Sequence, residues 1–289
     1  MDLFLNHEWP EMRLRGHGGG KMRADFSVMK ALKAAMAFVP QAWAGAWLAL
    51  VLLFAALAGG PWLLAGQQLP LMFAQLILIF CVLLLKLVAQ GALYRIALFG
   101  KEARAEGLGF GGLQIARPEL RLLMASLIAG AFMMLIAGAI FLVFAIALSL
   151  SGLATGYENS MAAVCAIWRR HSGADYVFII YILAAILFLV FVALKFVLMP
   201  AANIGGRKLV ALNALGLSSG NVGRLFIGLM AIVLPFALAC GLAVRQFGHG
   251  SAVMWLHSAL LALAIFGLFP LIVGFLASAY RQIMAIRSK

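Results

Sequence analysis

Six long apolar runs separated by shorter polar segments dominate the chain. A hydrocarbon core about 30 Å thick requires about 20 consecutive apolar residues in an α-helix, and every run reaches that length. The pattern therefore predicts an all-α polytopic membrane protein, built as a bundle of six transmembrane helices. The predicted spans lie near residues 41–65, 69–94, 119–151, 175–200, 222–246 and 252–280.

Two segments are amphipathic instead of uniformly apolar. In residues 25–39, apolar side chains recur at helical spacing beside lysines, which predicts an interfacial helix along the inner membrane face that leads into the first span. A shorter stripe of leucines predicts a second helix of this kind over 206–217. Residues 1–24 are polar and rich in glycine, so we predict a flexible cytoplasmic tail there and a transmembrane domain over 25–289.

Composition supports the membrane assignment and orients the bundle. Hydrophobic residues make up 65% of the chain and charged residues 11%, whereas about half of a soluble domain is apolar. With the N-terminus inside, most lysines and arginines fall on the inner side, and only Arg169, Arg170 and Arg245 fall outside. The positive-inside rule then predicts that both termini are cytoplasmic.

The net charge of +13 raises the question of a nucleic-acid partner. However, the basic residues form no single patch, and they flank the apolar runs. We therefore predict contact with anionic lipid headgroups on the cytoplasmic side, and no nucleic-acid partner. The candidate headgroup contacts are Lys30, Lys33, Arg207, Lys208 and Arg224.

Three polar residues inside the spans are candidate site residues: Lys86, Gln90 and Lys195. Lys86 precedes Arg95 by nine residues, which places it roughly 13 Å deeper along a helix. An unpaired ammonium at that depth is costly, so Lys86 either snorkels or makes a structural bond, or it lines a polar cavity or contacts a partner. Both alternatives stay open. Lys195 lies near the inner end of the fourth span, where snorkelling suffices.

The loop over residues 152–175 is a candidate docking site. Its sequence "MAAVCAIWRRHSGADY" contains Trp168, Arg169 and Arg170 after apolar residues at helical spacing. One reading is an external interfacial helix anchored by Trp168. The other is a docking surface for a partner protein.

The stretch "ALNALGLSSGNVGRLF" at residues 211–226 has the glycines and the arginine of a phosphate-binding loop. It lacks the G-x-x-x-x-G-K-[ST] spacing of a nucleotide loop. We therefore predict a joint between two helices, in which Ser218, Ser219 or Asn221 caps the fifth span.

The order of these features resembles the membrane-domain family named after glycerophosphoryl diester phosphodiesterases. The resemblance runs from about Phe26 to Gln282 and rests on four stretches: "FSVMKALKAAMAFV", "GALYRIALFGKEARAEGLGF", "RPELRLLMASLIAG" and "LKFVLMPAANIGGRKLVALNALGLSSGNVGRLFIGL". It implies a six-helix protein of the bacterial inner membrane with an accessory or scaffold role. The 25 residues before Phe26 are too few for a phosphodiesterase domain, so we expect no diesterase activity.

Catalysis and ion coupling both need ionisable groups in suitable positions. The nine acidic residues fall in tails, loops or helix ends, and the chain has no H-x-x-x-H pair. We therefore predict no enzyme activity, no cofactor and no metal site. Pro235 and Pro270 lie near the middle of the last two spans, where they predict either simple kinks or the broken helices of a transporter site.

Two functional hypotheses follow. The first is a non-enzymatic integral membrane protein that acts as a scaffold or accessory subunit, either with a protein partner or as a homo-oligomer. The alternative is a transporter or flippase-like protein for a lipidic or apolar substrate. An internal cavity that reaches Lys86 favours the second hypothesis, and a solidly packed bundle excludes it.

Overall fold

The computed structural model describes residues 26–65, 71–150, 173–206, 209–247 and 252–287. Within these ranges all regular structure is helical and no strand occurs. The helices are α1 (Val28–Ala65), α2 (Leu71–Phe99), α3 (Arg117–Leu150), α4 (Gly173–Phe196), α5 (Met199–Gly205), α6 (Ala214–Leu217), α7 (Val222–Phe247), α8 (Ala252–Ala262) and α9 (Phe269–Arg287). A π-helical segment, Leu263–Leu268, joins α8 to α9, and short 3₁₀ turns occur at Gly100–Arg104 and Phe110–Gly112.

Six helical stretches are long and apolar enough to cross a membrane. They are α1, α2, α3, the α4–α5 pair, α7 and the continuous α8–α9 helix. The predicted all-α bundle of six transmembrane helices is therefore confirmed. The backbone N–H of Ser27 donates to Gln282 Oε1 at 3.0 Å, so the first and last described segments meet at one end of the bundle. We call this the terminal end and the opposite one the distal end.

Helix α1 consists of two helical segments that meet at a kink at Ala46 (φ −123°, ψ 20°). The predicted interfacial helix over 25–39 belongs to the first segment, which continues through Pro40. The first part of α1 runs antiparallel to α9, since Phe26 packs edge-on against Phe275 and Trp43 bonds to Phe266. Small residues allow this close packing, and the fully buried alanines of α1 include Ala31, Ala35, Ala42, Ala46 and Ala49.

Four predicted segments have different bounds in the structure. Helix α2 extends to Phe99, and the sixth span extends to Arg287. The fourth span breaks at Val197–Leu198, after which α5 begins with Pro200 in its first turn. Of the predicted helix over 206–217, only α6 is helical in the structure. Residues 209–213 before it form irregular structure and turns.

The helices form a closed ring around α5. Helices α1, α2 and α9 pack on one another, α3 joins α2 to α4, and α7 joins α4 back to α1 and α9. Helix α5 lies inside this ring, in contact with α2, α3 and α9. Most of the buried apolar core belongs to the terminal end, and its fully buried members include Leu50, Leu93, Leu122, Leu198 and Phe275.

The distal half of the bundle buries much less of its surface. Large apolar side chains of α2, α3 and α4 are exposed there, among them Phe80, Leu135, Phe141, Val177 and Leu187. The contrast indicates a tightly packed terminal end and a distal half in which apolar side chains meet the surrounding lipid.

Candidate functional site

A crevice of about 330 Å³, open on one side to the surroundings of the bundle, lies between α2, α3, α4, α5 and α9, and we call it the central cavity. Its wall is mostly apolar and includes Ala129, Gly130, Met133 and Phe196, and its polar side chains are Gln90 and Tyr94. Ligand pockets are typically about 300–1,000 Å³, with apolar walls and a few convergent polar groups. The volume of this cavity therefore falls in the lower part of that range.

The two polar side chains of the wall belong to one face of α2. The side chains of Gln90 and Tyr94 are one helical turn apart, and both line the cavity. Tyr94 is almost fully buried, whereas Gln90 is only partly buried. Gln90 therefore offers the more accessible polar group at the cavity surface.

Two interrupted helices also border the cavity. At the junction of α4 and α5, Val197 and Leu198 form a turn, and Val197, Met199 and Pro200 line the cavity. Phe269 lines it directly after the π-helical segment. Segments of π-helix occur frequently at functional sites. The predicted distortion near Pro270 is thus present as a π-helical turn, while α7 stays continuous through Pro235.

The π-helical turn is supported from α1. In an α-helix the carbonyl of Phe266 would accept from residue 270, but a proline has no N–H to donate. The indole N–H of Trp43 donates to this carbonyl at 2.7 Å. Trp43 therefore donates to a backbone carbonyl that Pro270, which has no N–H, cannot serve.

A buried ion pair lies on the terminal side of the cavity. Arg95 and Glu119 are each 1% exposed, and their Nη2 and Oε1 atoms are 2.6 Å apart. Arg95 Nη1 also donates to the carbonyl of Gly107 at 2.6 Å. Glu119 Oε2 accepts from the backbone N–H of Ala116 at 3.1 Å, as a carboxylate three residues into a helix does when it caps that helix.

This pair fastens the segment between α2 and α3 against the bundle. Gln114 Nε2 donates to Glu119 Oε1 at 3.3 Å, and its Oε1 accepts from the backbone N–H of Gly109. A Cβ at Gly91 would lie 2.8 Å from Glu119 Oε1, and one at Gly112 (φ +84°) would lie 2.9 Å from the Cα of Ala46. The close contacts show that the segment folds back between α1 and α2.

Sequence reasoning missed this pair. It counted Arg95 among the inner positive charges and Glu119 among the helix-end carboxylates. The two residues are 24 positions apart, and no local pattern connects them. The one available signal was the position of Glu119 in the first turn of α3, which favours a capping role.

A second cavity of about 220 Å³ lies beside the ion pair. It is lined by Arg95, Phe99, Glu106, Pro118, Arg121 and Ile204. Helix α5 lies between the two cavities, because Pro200 lines the central one and Ile204 lines the second. The short helix therefore separates a largely apolar cavity from one that contains charged side chains.

Asn203 holds α5 in place. Its fully buried side chain donates to the carbonyls of Met199 and Val210 at 2.9 and 2.7 Å, and it accepts from the Val210 N–H at 2.8 Å.

Ser218 Oγ donates to the carbonyl of Lys195 at 2.9 Å. These bonds support the predicted joint. Asn221 precedes α7, as a cap would, but its buried side-chain atoms have no hydrogen-bond partner among the described residues.

The predicted intramembrane residues have different surroundings. Gln90 lines the central cavity. Lys86, one turn away on α2, is exposed and does not line the cavity, so the cavity reaches Gln90 but does not reach Lys86 as the transporter hypothesis expected. Lys195 is partly buried, with its Nζ 5.4 Å from the centroid of the Phe191 ring.

The predicted headgroup and docking residues are only partly described. Lys30 and Lys33 are exposed on α1. Arg224 is partly buried, and its Nη1 donates to the carbonyl of Phe26 at 3.4 Å, so at least part of its guanidinium binds protein. Outside the described residues lie Arg207, Lys208, Trp168, Arg169 and Arg170.

The six apolar helices among the described residues define the chain as a polytopic α-helical membrane protein with an open crevice between its helices. No family model, curated protein or solved structure matches the chain. The resemblance to the membrane-domain family of glycerophosphoryl diester phosphodiesterases therefore stays a prediction.

Proposed function

We propose that the protein binds a lipid-like amphiphile in its central cavity and moves it within the membrane, as a transporter or flippase-like protein does. The cavity between five helices carries this proposal. Its apolar wall suits acyl chains, and Gln90 supplies a polar group beside them.

The two interrupted helices support movement in addition to binding. Discontinuous membrane helices form the binding sites of many transporters, and here both interruptions border the same cavity. Helix α5 separates this cavity from the charged one beside Arg95. A displacement of α5 would connect the two cavities. The polar headgroup of an amphiphile could then pass from one cavity into the other.

We place this activity in a bacterial inner membrane, with both termini in the cytoplasm and anionic lipids at the cytoplasmic surface. The resemblance supports the compartment, and the distribution of lysine and arginine supports the orientation. Exposed Lys30 and Lys33 near the terminal end support the contact with anionic headgroups.

Two glycines of α3 provide a matched test. A Cβ at Gly130 or at Gly138 would meet no atom within 4 Å, but only Gly130 lines the central cavity. We expect Gly130→Leu to fill the cavity and lose a lipid that the wild-type chain and Gly138→Leu retain in mild detergent. Native mass spectrometry measures the retained lipid, and dithionite quenching of labelled lipid in proteoliposomes measures its movement.

Two results would contradict the proposal. One is a wild-type chain that neither retains lipid nor accelerates its movement. The other is a Gly130→Leu variant that behaves like Gly138→Leu in both measurements.

A scaffold or accessory subunit without enzyme activity is the second candidate. Helices α3 and α7 bury the smallest shares of their apolar windows, which leaves surface for another chain or a second copy of this one. Extraction in mild detergent tests this role: a stable partner or a homo-oligomer supports it, and a strictly monomeric preparation contradicts it.

A further inference from the structure

Four polar side chains of α2 lie on one side of the helix: Gln75, Lys86, Gln90 and Tyr94. Arg95 and Cys81 lie outside that side. At 3.6 residues per turn, these four positions fall within about 100° of arc. We call them the polar stripe of α2. Gln90 and Tyr94 line the central cavity, so the other two positions lie on the side of α2 that carries the cavity wall.

The polar stripe extends from the cavity towards the distal end. Lys86 lies about 6 Å beyond Gln90 along the helix axis, and Gln75 about 16 Å further. Both side chains are exposed, in the half of the bundle where the helices bury little surface. The headgroup of an amphiphile whose chains occupy the cavity would therefore lie close to Lys86, at the distal edge of the apolar wall.

Lys86 makes no ion pair with any side chain that the structure describes. Among the carboxylates with described side chains, Glu102, Glu106 and Glu119 all lie at the terminal end, and Glu119 is bonded to Arg95. A lysine inside a membrane span is expensive unless it is paired or hydrated. Lys195 is the contrast, because its ammonium lies over the ring of Phe191.

We infer that the cavity selects an amphiphile with an anionic headgroup, whose phosphate or carboxylate pairs with the Lys86 ammonium. This inference rests on the proposed binding of an amphiphile in the central cavity. The apolar wall takes the acyl chains, Gln90 bonds to the linkage between chain and headgroup, and Lys86 supplies the positive charge. A zwitterionic lipid fills the same wall but brings its own cation to Lys86.

Lipid competition at low salt tests the inference. Phosphatidylglycerol and phosphatidylcholine of equal chain length are titrated onto the detergent-solubilised chain, and native mass spectrometry measures their affinities. We expect the wild-type chain to prefer phosphatidylglycerol by about tenfold, the value of one charge-assisted hydrogen bond. Lys86→Gln removes this preference and leaves the affinity for phosphatidylcholine unchanged.

Two control variants complete the experiment. Lys195→Gln removes another intramembrane lysine, and we expect it to retain the preference for phosphatidylglycerol. We expect the same of Lys86→Arg, which keeps the positive charge at position 86. Equal affinities in the wild-type chain, or a preference that persists in Lys86→Gln, would overturn the inference and leave the proposed function standing. If neither lipid binds the wild-type chain, the proposed function itself fails.

Discussion

Arg95 and Glu119 form a charge pair from which almost all solvent is excluded, and each charge depends on the other. Taking two charges out of water is costly, and the cost is offset only when geometry and additional hydrogen bonds are good. Both conditions hold here, because Gly107, Gln114 and Ala116 complete the coordination of the pair. Removal of one partner would leave the other charge buried and uncompensated.

The first residue-scale prediction concerns this pair. We expect Glu119→Leu to lower the free energy of unfolding by about 3–5 kcal/mol, while Glu102→Gln, at an exposed carboxylate of the same segment, has little effect. The double variant Arg95→Met with Glu119→Leu should recover most of the loss. Thermal unfolding in detergent measures all of these variants. Equal stabilities of Glu119→Leu and Glu102→Gln would contradict the prediction.

At the scale of single elements, the sixth span depends on a bond from α1. Pro270 removes one backbone donor, and a carbonyl without a partner is costly where water is scarce. Trp43 reaches Phe266 from the neighbouring helix, so the π-helical turn and the antiparallel packing of α1 stabilise each other. The interruption that borders the cavity is therefore part of a wider packing arrangement.

The prediction at this scale compares two tryptophans of α1. Trp43→Phe keeps an aromatic ring but removes the N–H donor, so we expect a loss of about 1–3 kcal/mol of unfolding free energy. Trp47→Phe is the matched control, because Trp47 is similarly exposed (46% against 49%) and packs edge-on against Phe110. Thermal unfolding in detergent again provides the measurement.

A double-variant cycle sharpens this test. In Pro270→Ala the backbone N–H of residue 270 returns and can bond to the carbonyl of Phe266. Trp43→Phe should therefore cost less in that background than in the wild-type chain. If Trp43→Phe costs no more than Trp47→Phe, the indole bond does not stabilise the turn.

At the scale of the whole molecule, an even number of candidate spans among the described residues predicts that both termini lie on the same side of the membrane. The bond between Ser27 and Gln282 agrees with this arrangement, and the distribution of lysine and arginine predicts that the side is cytoplasmic. The proposed route for an amphiphile depends on this orientation, since the charged cavity lies at the terminal end.

Cysteine labelling tests the orientation. In a variant without Cys81, Cys165 and Cys240, we expect Lys30→Cys and Arg281→Cys to react with a membrane-impermeant maleimide in inverted vesicles only. Arg245→Cys, at the opposite end of α7 from the joint, should react in right-side-out vesicles only. Labelling of the two termini from opposite sides would contradict the six-span topology.

Local information in the chain was sufficient for the number and type of the spans. Apolar runs of membrane length predicted six helices, Pro270 predicted a distortion of the last one, and Gln90 was recognised as a polar residue within a span. These features depend on composition and on neighbours within a few residues, so they can be read along the chain.

The features of the candidate site depend on contacts between distant segments. Amphipathic spacing over residues 25–39 did not show that Ala35 and Phe38 pack against Gly274 of α9. The position of α5 depends on the bonds between Asn203 and Val210, and the carbonyl of Phe266 accepts from a tryptophan of another helix. A hydropathy pattern shows that a helix has an apolar face, but it does not show which other helix packs against that face.

The sequence by itself determined an all-α membrane bundle, its six spans and the polar stripe of α2, because lipid imposes length and polarity on each helix separately. Tertiary structure alone decided the Arg95–Glu119 pair, the two cavities and the position of α5 between them. These arise where side chains remote in sequence approach closely, and their free energy depends on the geometry of all the partners at once.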